Sequence, residues 1–443
     1  FKSQLMEATA KKATFQKYSA YKDSGVEWLG QIPAHWDMLP NKFIFKLKKN
    51  LVGKKSNQYT LLSLTLHGII KRDMENPQGK FPAEFDTYQE VNNGDFVFCL
   101  FDVEETPRCV GLSDFDGMIT GAYTVMQVGS KFDKRFLYYF YLNLDKDKRL
   151  RPLYTGLRNT ISKDNFFAFK AFVPPLPEQT AIAAFLDDKT AKIDRAIAQK
   201  EKMITLLKER KQIIIQNAVT KGLDPNAKMK HSGVEWIGEI PEGWEVLPGL
   251  RFFKENKRSN KGMKESTVLS LSYGNIIIKP EEKLVGLVPE SFETYQIVYP
   301  GDIIIRCTDL QNDQTSLRTG LAQNKGIITS AYINLGIIGD NHPEYLHAYL
   351  HFVDITKVLY KFGSGLRQNL SFADFKRMPI LKVPYNEQVQ IVEFIQKASL
   401  KIERAIEMQH KEIEKLKELK STLIDSAVTG KLRVPSVQEI KVS

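Results

Sequence analysis

The chain has 443 residues, a length that predicts two to four domains rather than one hydrophobic core. Its apolar and charged fractions are those of an ordinary globular protein, and no apolar run reaches the ~18 residues of a membrane span. The net charge of +11 and the pI near 9.2 favour a nucleic-acid partner about as strongly as a merely basic surface.

The cysteines and the start of the chain bear on where the protein works. Cys99, Cys109 and Cys307 form no Cys-x-x-Cys pair, and their odd number does not suit a disulfide framework. Residues 1–20 are polar and contain lysine, without the apolar run that a secretory signal needs. We therefore expect reduced thiols and a cytoplasmic location.

In chain order, the first distinctive element is a tryptophan motif, and it occurs twice. Residues 22–40 and 230–248 are identical at 12 of 19 positions, in the pattern Ser-Gly-Val-Glu-Trp-x-Gly-x-Ile-Pro-x-x-Trp. Large aromatic side chains dominate packing where elements join. We therefore expect the tryptophans of both motifs to be structural anchors: Trp28, Trp36, Trp236 and Trp244.

The repeat continues beyond this motif at an offset close to 208 residues. Further matched segments are Gly94-Asp95 with Gly301-Asp302, Gly156-Leu157-Arg158 with Gly365-Leu366-Arg367, Glu178-Gln179 with Glu387-Gln388, and Ala218-Val219-Thr220 with Ala427-Val428-Thr429. Identity is sparse only in residues 41–153 and 249–361. Such a period marks a duplicated architecture. We therefore expect one frame that carries two different middle regions.

Each middle region has the pattern of an α+β domain. Residues 59–66 and 267–273 alternate between apolar and polar, as half-buried strands do. In each copy a Gly-Asp turn precedes an apolar triplet, at 96–98 and at 303–305. A turn signal before a short apolar run predicts a strand.

Helices are expected later in each middle region. The apolar-rich stretches 136–144 and 345–353 predict one helix each. Ser162 and Ser371 predict the starts of two short helices, because a serine oxygen can accept the free amides of a first helical turn.

Two stretches without proline or glycine, residues 178–220 and 387–429, predict long helices that follow proline breaks. Apolar residues recur there at alternating spacings of four and three, which are coiled-coil positions. The seam residues are Ile193, Ile197, Ile204, Leu207, Ile214 and Ala218 in the first helix, and Ile402, Ile406, Ile413, Leu416, Leu423 and Ala427 in the second. A helix of this length would extend ~65 Å.

Polar residues interrupt the two seams at equivalent places, Lys200 with Gln409 and Lys211 with Lys420. A polar seam residue can fix the register of a coiled coil. The matched phase favours pairing of the two helices with each other over burial of each against its own domain. Antiparallel pairing is preferred, because it relates the two middle regions by a pseudo-twofold axis, as in proteins that read twofold-related DNA half-sites.

These patterns predict an α+β fold with two globular domains joined by two long antiparallel coiled-coil helices, in a pseudo-twofold tandem repeat. The expected boundaries are an N-terminal segment with the first tryptophan motif (1–40), the first middle domain (41–173), the central long helix and linker (174–228), the second tryptophan motif (229–248), the second middle domain (249–384) and the C-terminal long helix and tail (385–443).

The motifs that would mark an enzyme are missing from both copies. The sequence has no Gly-x-x-x-x-Gly-Lys-[Ser/Thr] loop for ATP and no Asn-Pro-Pro-aromatic or Asp-Pro-Pro-aromatic tetrapeptide typical of amino-methyltransferases. His342, His347 and His351 suggest zinc only weakly, because the first copy has no histidine at that place. We therefore expect a binding protein with no catalytic residue and no metal site.

The order of motifs resembles one family over nearly the whole chain. A tryptophan motif precedes each middle region, Gly-Leu-Arg-x-x-x-Ser closes it, and Pro-x-x-Glu-Gln begins a long helix that ends in Ala-Val-Thr. This arrangement resembles the specificity subunit of Type I restriction-modification enzymes.

The resemblance implies a division of labour. Residues 41–173 and 249–384 would be target-recognition domains, each reading one half of a bipartite site in double-stranded DNA. The paired helices would set the spacer and dock two modification subunits, which bind S-adenosylmethionine and methylate adenine. Separate restriction subunits would use ATP and Mg²⁺ for translocation and cleavage, and this chain would have no cofactor.

Base readout needs side chains such as Arg, Lys, Asn or Gln at base edges, whereas phosphate contacts only position the protein. The candidate DNA-binding residues lie at and after the Gly-Leu-Arg motifs: Arg158, Asn159, Lys163, Arg367, Gln368 and Lys376. The arginines are common to both copies, which suggests phosphate contact or, alternatively, bracing of the loop. Asn159 and Gln368 differ and are better candidates for base choice.

Two other functions stay open on the sequence alone. One is a coiled-coil adaptor without DNA readout, which the basic pI and the paired arginine loops disfavour. The other is a stand-alone DNA-modifying enzyme, which the missing motifs disfavour. The sequence of either half-site and the spacer length have no readable code in the divergent regions.

Overall fold

The computed structural model describes residues 16–73, 84–280, 291–308, 317–361 and 369–434. The chain mixes helices and strands and divides into two compact units. Unit 1 comprises residues 1–199 and 411–443, and unit 2 comprises residues 200–410. Both boundaries fall inside long helices, so each long helix contributes residues to both units.

Unit 1 is built on short strands and two helices that precede the first long helix. The strands are β1 (Tyr21–Asp23), β2 (Gln31–Pro33), β3 (Asp37–Pro40), β4 (Phe45–Lys48), β5 (Leu62–Thr65), β6 (Gly68–Lys71), β7 (Gln89–Val91), β8 (Phe96–Phe98), β9 (Val110–Leu112), β10 (Gly117–Ile119), β11 (Thr124–Val128), β12 (Tyr154–Thr155), β13 (Thr160–Ile161) and β14 (Lys170–Val173). The helices are α1 (Lys134–Lys146), α2 (Lys163–Ala168) and α3 (Leu176–Lys221), of which α3 ends in unit 2.

Over the described residues, unit 2 repeats this order of elements without the β12–β13 hairpin. Its strands are β15 (Met229–His231), β16 (Glu239–Pro241), β17 (Glu245–Pro248), β18 (Phe253–Glu255), β19 (Leu269–Ser272), β20 (Asn275–Ile278), β21 (Gln296–Val298), β22 (Ile303–Ile305), β23 (Thr319–Leu321), β24 (Gly326–Ile328), β25 (Ile333–Ile337) and β26 (Pro379–Lys382). The helices are α4 (Pro343–Ile355), α5 (Phe372–Phe375) and α6 (Tyr385–Val428), of which α6 ends in unit 1.

The largest sheet of each unit has four antiparallel strands in the same order. In unit 1 the order is β4-β11-β8-β9, and in unit 2 it is β18-β25-β22-β23. The central strands β8 and β22 are the expected apolar triplets, and all their residues are buried. The two middle regions therefore share a topology, although their sequences differ.

In each domain, the strand that enters the domain pairs with the strand that leaves it. Strand β3, which follows the first tryptophan motif, pairs with β14, which leads into α3. Strand β17 pairs with β26 in the same way before α6. Because the incoming and outgoing strands pair, each domain begins and ends at its own frame elements.

The two long helices also take part in the core of each unit. In unit 1, Leu186 of α3 and Leu423 of α6 are buried in one cluster with Phe96 and Phe136. In unit 2, Val219 of α3 and Ile391 of α6 are buried with residues of the second sheet. Burial of such side chains contributes roughly 1.5–3 kcal/mol each relative to exposure. The helices are thus part of each unit's core.

Polar contacts give the direction of the helices inside unit 2. Lys200 Nζ donates to Gln409 Oε1 at 3.4 Å, and Lys211 Nζ donates to Glu403 Oε1 at 2.6 Å. The later residue of α3 thus contacts the earlier residue of α6, so the helices run antiparallel there. The polar residues that interrupt one seam meet polar residues of the other helix.

The same kind of ion pair occurs inside unit 1. Lys420 of α6 donates to Asp194 of α3 at 2.7 Å. At an offset of 209, Lys420 corresponds to Lys211 and Asp194 corresponds to Glu403. The expected seam residues are buried or half-buried along both helices. Among the residues that the structure describes, no helix has the length and apolarity that a membrane crossing requires.

Candidate nucleic-acid interface

The first candidate residues lie at the tip of the β12–β13 hairpin. Gly156 and Asn159 have φ values of 70° and 44°, and this left-handed backbone turns the chain between two very short strands. Leu157 and Arg158 lie between them, and Leu157 is fully exposed. The tip therefore presents an apolar group beside a cation and an amide.

An acidic loop at residues 102–105 braces this tip. The backbone N–H of Asp102 donates to the Arg158 carbonyl at 3.0 Å, and that of Val103 donates to the Asn159 carbonyl at 3.3 Å. Arg158 Nε donates to Asp102 Oδ1 at 2.9 Å, and Asn159 Nδ2 donates to Glu105 Oε1 at 3.1 Å. Loop bracing, the alternative role for Arg158, is therefore a contact that the structure contains.

The Arg158–Asp102 pair is exposed to solvent. A second guanidinium nitrogen of Arg158 also bonds to the Asp102 carboxylate. These hydrogen bonds hold the pKa of the Asp102 carboxyl below its usual value. Because exposed ion pairs contribute little stability, the guanidinium can exchange this carboxylate for a phosphate at small cost.

Lys163 lies close to the hairpin in the chain, at the first position of α2. Ser162 caps that helix, because its Oγ accepts from the Asn165 N–H at 3.1 Å. In unit 2, Ser371 caps α5: its Oγ accepts from the Asp374 N–H, and its own N–H donates to the Asp374 carboxylate. Lys376 follows this helix. Lys163 is exposed and Lys376 is half-buried. Arg367 and Gln368 lie outside the described residues.

Exposed lysines within and just after strands β4 and β18 were not expected from the sequence. In unit 1 they are Lys46, Lys49, Lys54 and Lys55, and in unit 2 they are Lys254, Lys257, Lys261 and Lys264. The signal was present, since a lysine-rich run begins each divergent region at the same place. These segments add basic surface to both domains.

In each domain, the aspartate of the Gly-Asp turn binds one cation of the lysine-rich segment described above. Asp95 accepts from the Asn92 N–H at 2.8 Å and pairs with Lys48 Nζ at 2.9 Å, with both side chains buried. In unit 2, Asp302 accepts from the Tyr299 N–H at 2.8 Å and pairs with Arg258. A buried carboxylate thus holds one cation of each lysine-rich segment in place. The lysines that were named in the preceding paragraph remain exposed.

The tryptophan motifs lie against the starts of the long helices. Trp36 Nε1 donates to Glu178 Oε1 at 3.0 Å in unit 1, and Trp244 Nε1 donates to Glu387 Oε2 at 2.9 Å in unit 2. Both of these indoles are buried. The glutamate of the Pro-x-x-Glu-Gln motif therefore provides the polar partner that a buried indole N–H needs.

The other two tryptophans are half-buried. Trp28 lies under the guanidinium of Arg149, which is 4.6 Å from the ring centroid and donates to Asp425 of α6 at 2.8 Å. Trp236 contacts the rings of Tyr349 and Phe352 on α4. Each tryptophan motif thus contacts both its own domain and a long helix.

The histidines of α4 are partners in packing. The ring centroids of His347 and His351 are 6.3 Å apart. Burial lowers the pKa of each imidazole to about 4, so both are neutral at pH 7. Over the described ranges, no group of three or more His, Cys, Asp or Glu side chains is arranged to hold a metal ion.

Comparison with known proteins extends over most of the chain. No family model matches it. The chain is 27% identical to the type I restriction enzyme MjaVIII specificity subunit of Methanocaldococcus jannaschii in an alignment of 332 positions that covers 68% of this chain and 71% of that protein. It is 26% identical to the putative type I restriction enzyme MjaX specificity subunit of the same organism in an alignment of 438 positions that covers 92% of this chain and 96% of that protein.

A solved structure shares the fold. It comes from work on complex assembly and conformational transition of the type I R-M system, and its TM-score is 0.64 at 14% identity, with 90% of this chain and 99% of that chain covered. The resemblance that the motifs indicated is therefore confirmed, and this chain is a relative of the specificity subunits of Type I restriction-modification enzymes.

Proposed function

We propose that the chain is the sequence-specific DNA-binding subunit of a Type I restriction-modification complex, and that it has no catalysis of its own. The observation that carries the proposal is the pair of domains with one strand order and divergent sequences, each held by the same frame motifs. A shared frame gives both domains the same attachment. Divergent surfaces give each domain a different DNA half-site.

In this proposal phosphate contacts come from groups that both domains share. The exposed lysines within and just after β4 and β18 would supply most of this positive charge. Arg158 holds the hairpin tip through Asp102 and stays at the surface, where it can also reach a phosphate. Lys163 and Lys376 would add phosphate contacts beside their helices.

Base choice would come from residues that differ between the copies. Asn159 and Gln368 occupy the position after the shared arginine. An amide side chain can form two hydrogen bonds with adenine in the major groove. The Asn159 amide is already positioned by Glu105, so its orientation is set before DNA binds.

The long helices would set the spacer between half-sites and dock two modification subunits. Several large apolar side chains of these helices are exposed: Met203, Leu206 and Ile213 on α3, and Phe394, Leu400, Met408 and Leu419 on α6. Exposed apolar groups on long helices suit a protein partner. S-adenosylmethionine would belong to the modification subunits, and ATP and Mg²⁺ to restriction subunits.

Mapping methylated adenines tests this function. The chain and its modification partner are expressed in cells without other adenine methylation, and the genome is sequenced for methylated bases. We expect one bipartite motif, methylated in both halves, and no methylation when either protein is absent. Purified complex should bind that duplex with an affinity that falls steeply as salt rises. Methyl transfer by the chain alone, or methylation without a defined motif, would contradict the proposal.

A further inference from the structure

Two of the three cysteines lie opposite each other in unit 1. Strand β8 pairs with β9 so that Phe98 faces Val110, and the next pair in the same register is Cys99 with Cys109. The Cys99 N–H donates to the Cys109 carbonyl at 2.8 Å, which continues the ladder by one step. Opposite residues of an antiparallel pair have Cβ atoms about 4.5–5.5 Å apart, within a small shift of the spacing in disulfides.

The two thiols also share their surroundings. Both are free and buried. Cys99 Sγ lies 3.8 Å from Thr106 Oγ1, and Cys109 Sγ lies 3.7 Å from the Thr106 carbonyl oxygen. Cys99 and Cys109 are therefore the two ends of a loop, residues 99–109, and Thr106 of this loop contacts both sulfur atoms.

A neighbouring cation and a lowered thiol pKa both favour formation of a thiolate in this pair. Lys148 Nζ lies 3.6 Å from Cys109 Sγ and 2.8 Å from Asp145 Oδ1. A hydrogen bond from Cys109 lowers the pKa of the Cys99 thiol to about 7, even though burial and Asp102 oppose this shift. A thiolate is the form that attacks peroxides and disulfides. Because Lys148 lies beside Cys109 while the lowered pKa belongs to Cys99, either sulfur can react first.

A small cavity adjoins both thiols. Its volume is about 20 Å³, and Cys99, Cys109, Asp145 and Lys148 are among the residues that line it. A cavity of this size holds about one water-sized molecule. The cavity therefore provides space beside the two sulfurs for a small oxidant such as hydrogen peroxide.

The second copy provides an internal contrast. Arg306 stands at the place of Cys99, and Arg318 stands at the place of Cys109, because the Arg306 N–H donates to the Arg318 carbonyl at 2.8 Å as the Cys99 N–H does to the Cys109 carbonyl. The match of the latter two is structural, because the N–H of each donates to an equivalent carboxylate: Cys109 to Asp145 at 2.7 Å, and Arg318 to Asp354 at 2.5 Å. Burial raises the pKa of the Cys307 thiol to about 12. Cys307 stands one residue further along, at the place of Leu100, since the carbonyls of Cys307 and Leu100 accept equivalent bonds from the N–H groups of Leu370 and Ile161.

We propose that Cys99 and Cys109 form a peroxide-sensitive dithiol that closes to an intramolecular disulfide in unit 1. The thiolate of one cysteine attacks one oxygen of hydrogen peroxide, which breaks the O–O bond and gives a sulfenic acid and, after proton uptake, water. The sulfur of the other cysteine then attacks the sulfenic sulfur and expels a second water. Two thiols and one peroxide thus give one disulfide and two waters.

The disulfide would join the two ends of loop 99–109. That loop carries Asp102 and Glu105, which hold Arg158 and Asn159 at the hairpin tip. Oxidation would therefore reduce the motion of the loop that holds the hairpin tip. We expect slower amide hydrogen exchange in residues 100–108 and at the tip after oxidation.

Disulfide mapping on the full chain tests the proposal. The reduced, desalted protein is treated with hydrogen peroxide, remaining thiols are alkylated, and peptides are analysed by mass spectrometry without reductant. We expect a Cys99–Cys109 bridge in a monomeric chain, alkylated Cys307, and full reversal by dithiothreitol. Cys307→Ser should keep the bridge. Cys109→Ser should lose it and leave a sulfenic acid on Cys99 that dimedone traps.

Three results would overturn the proposal: both Cys99 and Cys109 fully alkylated after peroxide, oxidation of Cys307 at the same rate as Cys99, or bridges only between chains. The wild-type mapping decides the matter even if a variant fails to fold. The outcome is independent of whether the chain binds DNA, because the readout is a bond within the chain.

Discussion

At the scale of single residues, Gln179 and Gln388 explain why Glu-Gln is kept in both copies. The Gln179 side chain accepts from the Asp133 N–H at the start of α1 and donates to the Pro174 carbonyl, both at 2.8 Å. Gln388 makes the equivalent bonds with His342 and Val383. One buried amide thus joins the domain's helix to the strand that leaves the domain. The sequence marked the pair as shared and could not reveal these distant partners.

Gly430 is a second residue whose identity the structure requires. It follows α6 with a φ of 74°, and a Cβ there would lie 2.3 Å from Pro33 Cδ and 3.4 Å from the Trp36 ring. Gly430→Ala combines a left-handed backbone with a clash, so we expect unit 1 to lose about 2–4 kcal/mol of unfolding free energy. Urea denaturation followed by tryptophan fluorescence measures this loss.

Gly25 gives the matched control for the backbone cost alone. Its φ is 67°, and a Cβ added at this position would have no heavy atom within 4 Å outside its chain neighbours. Gly25→Ala should therefore cost only about 1 kcal/mol. Equal losses for the two variants would show that the contact between Gly430 and the tryptophan motif is not tight.

At the scale of elements, α1 and α4 hold the same place in their units and differ in one stripe of residues. His347 and His351 correspond to Tyr138 and Leu142 at an offset of 209. In unit 2 the two histidines line a cavity of about 520 Å³ together with Gln212 and other residues. The two helices occupy the same place in their units, but this stripe gives unit 2 two half-buried histidines.

These histidines should make unit 2 sensitive to acid. Their pKa is about 4 in the fold, against 6.5 for an ordinary histidine. The unfolded chain therefore binds protons between these values, and stability falls as the pH drops from 6.5 towards 4. At pH 5 the loss is on the order of 2 kcal/mol per histidine. Unfolding in urea at pH 7 and pH 5 measures it.

The other copy supplies the control substitutions. His347→Tyr together with His351→Leu installs the residues of unit 1, so the difference from wild type isolates the histidines from other titrating groups. We expect the double variant to lose most of the extra acid sensitivity. An unchanged pH dependence would mean that the imidazoles are not neutral in the fold.

Local sequence patterns predicted individual strands and helices better than the contacts that these elements make with distant residues. The triplets 96–98 and 303–305 are strands as expected, because a buried apolar run after a Gly-Asp turn is a local signal. Residues 59–66 yielded only Leu62–Thr65 as strand, since strand ends depend on pairing with a neighbour. The contact of Arg158 with Asp102 spans 56 residues, and no local pattern contains it.

At the scale of the whole molecule, one frame is used twice. Each unit contains its own tryptophan-to-glutamate bond, its own pairing of entering and leaving strands and its own lysine-to-carboxylate pair between α3 and α6. The sequence predicted this repeat because frame residues recur at a nearly constant offset. It did not predict the basic segments as shared features, since their lysines do not align one to one.

A chain with two copies of one middle domain tests most directly the central claim that the middle domains read the DNA half-sites. Residues 41–173 are replaced by residues 249–384, with both tryptophan motifs and both long helices retained, and methylated adenines are mapped as for wild type. Because the frame is unchanged, we expect a symmetric bipartite motif in which both halves are the second half-site of wild type and the spacer is kept. If the chimera assembles with its modification partner and still methylates the wild-type asymmetric motif, the middle regions are not the readers and the division between frame and readers is wrong.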